Sequence, residues 1–178
     1  MTEIVTKDQL KWAFARAAVF FVPLIMTVGV IFGHSEEQMR WFANLESPNF
    51  FPSSSYLPWI WALMFLIQGI AIAMIWQARG NRLRTSAVLL FFIHFILTLT
   101  LPNLTFEAQS LSQSFVVCSA LAVLQVVNCI VFWKIRSEAG ILMALYLIWW
   151  IVISTALWQM QDLNPDSGYL PSNTVTFG

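Results

Sequence analysis

Apolar side chains gather into five stretches, approximately residues 12–33, 59–78, 86–106, 113–133 and 139–161, with polar links between them. Each holds about the ~20 residues that an α-helix needs to cross a hydrocarbon core. The pattern predicts an all-α chain, one membrane domain over 1–178 built as an integral bundle of five transmembrane helices. Lys7, Lys11 and Arg16 lead into the first stretch, but its apolar run is long and no small-x-small cleavage site follows. It therefore reads as a first span rather than a signal peptide.

Polar side chains within these stretches fall at helical spacing. Trp61, Phe65, Gln68, Ile72 and Trp76 share one face of the second, and His94, Thr98 and Leu101 one face of the third. Ser114, Cys118, Gln125 and Asn128 form a stripe on the fourth. Tyr146, Trp150, Ile153 and Leu157 align on the fifth, with Trp149 beside them. Lipid cannot hydrogen-bond, so these faces are expected to meet inside the bundle. Gly69 and Ala73 add a small-xxx-small pair that permits close helix approach.

Composition agrees with a lipid solvent: the 178 residues are 58% hydrophobic and 10% charged, against about a quarter charged in ordinary soluble domains. The net charge is zero, but its placement is informative. Counting five spans puts Lys7, Lys11, Arg16, Arg79, Arg82, Arg84, Lys134 and Arg136 on one side, eight of the nine basic residues. The other side keeps Arg40 with Glu36, Glu37, Glu46, Glu107, Asp162 and Asp166. The positive-inside rule then makes the N-terminus cytoplasmic and sets the C-terminus across the membrane. No basic cluster is dense enough for nucleic acid.

The 34–58 link is the long one. Its residues Trp41, Phe42, Leu45, Phe50 and Phe51 are apolar, and Pro48, Pro52 and Pro58 forbid a continuous helix. Such a loop is expected to fold back as a lid over the bundle. An interfacial aromatic belt accounts equally well for Trp12, Trp59, Trp76 and Trp133, each near the end of a span. Residues 162–178 read as a polar tail.

Candidate chemistry is sparse. His94 is the one imidazole at membrane depth, where an ionisable group is a functional candidate. The plainer reading is a neutral ring hydrogen-bonded to Gln125 or Asn128. No carboxylate lies inside a predicted span, which argues against a proton-coupled pump and against acid–base hydrolysis. Cys118 and Cys129 sit eleven positions apart on one helix, about 16 Å, too far to bridge. No spacing suggests a metal site, and no catalytic residue is expected.

Several of these residues together resemble the translocator protein, or tryptophan-rich sensory protein (TspO/MBR), family. Its signature opens WYxxLxKPxWxPP, and here Trp41, Phe42, Leu45, Pro48, Phe50 and Pro52 stand at that spacing. Pro58, Trp61, Met64, Phe65, Gly69, Ala71, Ile75 and Trp76 continue it. Phe132-Trp133 and Ala139-Gly140 are placed as expected, Tyr146, Leu147 and Trp149 match the family's PYLxW in the fifth span, and Leu163, Asn164 and Pro165 match the Leu-Asn-Pro that follows that helix. The likeness spans roughly residues 12–165. The signature's loop Lys is Ser47 here, its second Trp is Phe50, and the second Pro of the pair is Ser53. His94, Thr98 and Leu101 replace the Gln, Asn and Trp of the third span, while Leu145 and Leu157 replace a Pro and an Asn of the fifth.

The resemblance implies a five-helix bundle, often a homodimer, with a pocket closed by the loop between the first two spans. It also implies a hydrophobic small-molecule ligand: a porphyrin, haem or a sterol-like compound, with no cofactor required. Trp61 and Trp149 correspond to the tryptophans associated with porphyrin binding and photochemical breakdown. The expected ligand-binding set is Trp41, Phe42, Trp61, Phe65, His94, Thr98, Tyr146 and Trp149, in a receptor or transporter of a bacterial inner membrane. Two alternatives are a Trp-dependent porphyrin-degrading photoenzyme and a scaffold that binds nothing.

Overall fold

The computed structural model describes residues 35–165, and their regular structure is all helical. The helices are α1 (Glu36–Asn44), α2 (Leu57–Gln77), α3 (Arg84–Thr98), α4 (Leu111–Ile135) and α5 (Ser137–Leu163), with a π-helical turn at Asn103–Glu107 between α3 and α4. The predicted first span, 12–33, and the tail after Pro165 lie outside the described residues.

Among the described residues, four helical stretches are long and apolar enough to cross a membrane: Leu57–Gln77, Arg84–Glu107, Leu111–Ile135 and Ser137–Leu163, with mean hydropathy of 2.0 to 2.4. Their outer faces carry large bare apolar side chains such as Leu89, Val123 and Ile148. Water would not tolerate that much apolar surface, whereas lipid covers it. The chain is a multi-pass integral membrane protein. Trp59, Trp76 and Trp133 are exposed at helix ends, as interfacial aromatics are.

The lid is partly helical, where the sequence pointed to a loop. Ser35 explains this: its hydroxyl accepts from the Gln38 amide (3.2 Å) while its own N–H donates to Gln38 Oε1 (2.9 Å), a reciprocal capping box. Glu36 and Glu37 then sit in the first turn, where the helix dipole favours them. Helix α1 stops at Leu45, ahead of Pro48, and buries Phe42 beneath it. The chain turns back through Pro48–Phe51 (Phe51 N–H to Pro48 C=O, 2.9 Å) and Ser53–Tyr56 (2.9 Å). Pro58 then falls in the first turn of α2, where a missing N–H costs nothing.

The third span departs from its expected 86–106 continuity. Pro102 brings no N–H to the Thr98 carbonyl, so the regular ladder ends there. Hydroxyls serve neighbouring carbonyls instead: Thr98 Oγ1 donates to His94 C=O (2.9 Å) and Thr100 Oγ1 to Leu97 C=O (2.7 Å). The chain resumes as the π turn, closed by Ala108 N–H on Asn103 C=O (2.9 Å) and tied to α4 by Thr105 Oγ1 and Ser114 Oγ, 2.9 Å apart.

Helices α4 and α5 form a tight antiparallel hairpin through extended Arg136 and make the most extensive contact of the bundle. Gly140 permits the approach, since a Cβ there would lie 2.7 Å from Trp133 Cα and Cβ. Deeper in, Gln125 Nε2 donates to Met143 C=O at 2.9 Å. At the opposite end of α5 the helix continues to Leu163, past the predicted start of the tail. Asn164 there joins the lid: its Oδ1 accepts from Glu46 N–H (2.9 Å) and its Nδ2 donates to Glu46 C=O (2.8 Å) and Met160 C=O (2.8 Å).

Two cores fill the bundle. One centres on Phe65, Ile72, Ile75, Phe91, Phe95 and Phe132. The other lies toward the lid around Leu121, Tyr146, Trp149, Trp150 and Ile153. Trp61 packs against both. The predicted stripe of α4 (Ser114, Cys118, Gln125, Asn128) is buried, as are Tyr146, Trp150, Ile153 and Leu157 on α5.

Candidate functional site

A small, partly open chamber lies where the lid meets α2, α3 and α5. The lid supplies Phe42 and Phe51, α2 supplies Leu57 and Trp61, and α5 supplies Ile153 and Leu157. The segment around the broken helix gives Thr98, Leu101, Pro102, Thr105 and Phe106. The space is about 70 Å³, below the ~300–1,000 Å³ usual for ligand sites.

The wall is aromatic. Phe42 meets Phe106 with ring centroids 5.3 Å apart, so the lid rests on the π turn. Trp61 stacks on Phe65 (5.6 Å) and takes the edges of Trp149 (6.0 Å) and Trp150 (5.7 Å). Such tilted and edge contacts suit the ring quadrupoles and hold the Trp61 indole at a fixed angle in the wall.

Behind this wall lies a polar layer. His94, Tyr146 and Trp150 form a triangle of edge contacts with centroids 5.5–5.8 Å apart. The Tyr146 hydroxyl has Thr98, Trp150 and Gln68 as neighbours, and the Leu121 backbone lies beside His94. These approaches are too long or too oblique to be hydrogen bonds. Gln68 Nε2, His94 Nε2, Tyr146 Oη, Trp149 Nε1 and Trp150 Nε1 are all buried without a partner. His94 does not reach Gln125 or Asn128, the partners expected for it. Gln125 is committed to Met143, and Asn128 Nδ2 donates to Leu124 C=O. The ring instead meets Thr98, whose Oγ1 lies 3.5 Å from Nδ1. Thr98 belongs to both layers, lining the chamber and bonding the His94 carbonyl.

Of the expected ligand-binding residues, Phe42, Trp61 and Thr98 line the chamber. Trp41 packs on the lid-side core, and Trp149 is buried against Trp61. Phe65, His94 and Tyr146 are buried one layer deeper. The lining adds Phe51, Leu57, Pro102, Thr105, Phe106 and Ile153, together with Leu101 and Leu157. Phe106 was hidden because Pro102 breaks the helical count that would carry the face of Thr98 onward. Among the described residues, no three His, Cys, Asp or Glu side chains gather in a way that would hold a metal ion.

Membrane-crossing helices, with an aromatic chamber covered by the segment that precedes the first described one, define a multi-pass helical membrane protein. Comparison with known sequences agrees. The TspO/MBR family profile matches residues 8–162, and the chain belongs to that family. The chain is also similar to the uncharacterized membrane protein YtaB of Bacillus subtilis (strain 168), at 24% identity over 134 residues, 74% of this chain and 84% of YtaB.

Proposed function

We propose that this protein is a membrane receptor or transporter that takes a hydrophobic or tetrapyrrole ligand into the chamber beneath its lid. The observation that carries this reading is Trp61, held edge-on to Trp149 and Trp150 in the wall of a space roofed by Phe42 and Phe51. Flat apolar molecules bind by replacing such ring contacts with their own faces, and Thr98 offers a polar point to orient them. The reading includes a fifth span over 12–33, which the family match covers, and a cytoplasmic N-terminus. The charge pattern supports that orientation: Arg79, Arg82, Arg84, Lys134 and Arg136 cluster at the end away from the lid.

Tryptophan-fluorescence titration of the protein in nanodiscs with protoporphyrin IX and with haem tests this. Saturable quenching that is lost in Trp61→Phe supports the chamber. Quenching that grows linearly, or that is equal in the variant, means partition into lipid and sinks the assignment in favour of a scaffold.

A further inference from the structure

Beside the chamber is a second space of about 160 Å³, lined mostly by the lid, and its lining differs in kind. Ser47, Ser53 and Ser54 edge it, with Met160 of α5 also in the lining. Phe42 and Phe51 line both spaces. Two rings, one on α1 and one on the Pro48–Phe51 turn, are therefore shared between a serine-edged vestibule and an apolar chamber.

We infer that the vestibule is the subsite for the polar end of the ligand, that Phe42 and Phe51 form the gate between the two spaces, and that the end group accepted there is uncharged. This rests on the chamber reading above and specifies its ligand: a rigid apolar body with a hydroxyl, ester or amide at one end, rather than a carboxylate. Serine hydroxyls donate and accept hydrogen bonds but bring no charge. Among the described residues, no charged side chain lines either space. The charged neighbours along the chain are acidic, Glu46 beside Ser47 and Asp162 beyond Met160. Arg40, the one basic residue in the described lid, faces solvent near Glu36. A carboxylate entering here would lose water without gaining a cation.

The test compares protoporphyrin IX with its dimethyl ester, the same macrocycle without the acid charges, in nanodiscs of zwitterionic lipid. Binding is read as the Trp61-dependent saturable part of tryptophan quenching. The ester is expected to bind about tenfold or more tighter than the acid. Ser47→Lys should move the ratio toward the acid by a similar factor, and Ser47→Gln, of comparable length but neutral, should not. If the wild-type protein binds acid and ester equally through Trp61, the uncharged vestibule is wrong and the chamber stands. A shift by Ser47→Gln equal to that by Ser47→Lys also overturns the vestibule, because bulk rather than charge then sets the ratio. If neither probe shows Trp61-dependent saturation, the chamber reading fails and the vestibule falls with it.

Discussion

The side-chain amide of Asn164 pairs with the backbone of Glu46 on both sides, accepting from its N–H at 2.9 Å and donating to its C=O at 2.8 Å. The two residues are 118 positions apart, one just past the last helix and the other in the lid. This one amide ties the lid to the bundle in the way an adjacent β-strand would. Asn164→Ala should therefore loosen the lid and leave the helices intact. The expected cost is roughly 1–2 kcal/mol for partly exposed hydrogen bonds. Hydrogen exchange at the Glu46 amide should accelerate about tenfold, with exchange in the centre of α4 unchanged. An unchanged rate at Glu46 would show that the apolar lid contacts alone hold it shut.

Two glycines are needed for different reasons, and alanine substitution separates them. Gly140→Ala places a Cβ 2.7 Å from Trp133 Cα as well as Cβ. The clash is with backbone, so the α4–α5 hairpin must shift, at an expected ~1–3 kcal/mol. Adding Trp133→Ala should not rescue it. Gly80 has φ +86 and nothing within 4 Å of its virtual Cβ, so Gly80→Ala should cost only about 1 kcal/mol of conformational strain. Thermal unfolding in detergent should rank the two in that order, and full rescue by Trp133→Ala would contradict the packing described.

Tyr146 is fully buried, yet its hydroxyl has no hydrogen-bond partner. Tyr146→Phe removes the unsatisfied group and keeps the ring contacts with His94 and Trp150. Stability should stay level or rise by up to ~1 kcal/mol. A clear loss in the melting temperature would mean that the hydroxyl is engaged in the membrane by a group absent from these contacts.

Leu101 lines the chamber at a position where the family signature carries Trp. Leu101→Trp adds a second ring to a space of about 70 Å³ and should fill it. The expected outcome is at least about tenfold weaker binding of any chamber ligand, with expression and melting temperature held. Titration with protoporphyrin IX and its ester checks this, and undiminished Trp61-dependent binding of both would place the ligand elsewhere.

Much of the bundle was legible in the sequence because lipid imposes a simple rule on it. Four of the five apolar stretches correspond to helices in the structure, and polar stripes such as Ser114, Cys118, Gln125 and Asn128 turn inward because nothing in a bilayer can bond them. Phe42, Trp61 and Thr98 were legible in the chamber wall for a related reason, through periodicity and the loop motif. The capping of α1 by Ser35 and Gln38 was readable in principle, as a serine with glutamine three residues on, but the prolines downstream outweighed it. Periodicity loses its hold after Pro102. A facing rule based on 3.6 residues per turn fails once the ladder is broken, so Thr105 and Phe106 were not assignable to any face. Likewise, the join between Glu46 and Asn164 depends on tertiary closure, which no local pattern encodes.

The π turn at Asn103–Glu107 also bears on length rather than chemistry. A π turn accommodates one residue more than an α turn at the same place in the ladder. Removing a single residue there would let the ladder close at ordinary pitch, so the residues within the turn would change their facing while the helix beyond keeps its register. Thr105 would swing away from Ser114, and Phe106 from Phe42, although every side chain of the site would still be encoded. Point substitutions can retune this site while it persists, but a one-codon deletion in this stretch would dismantle it.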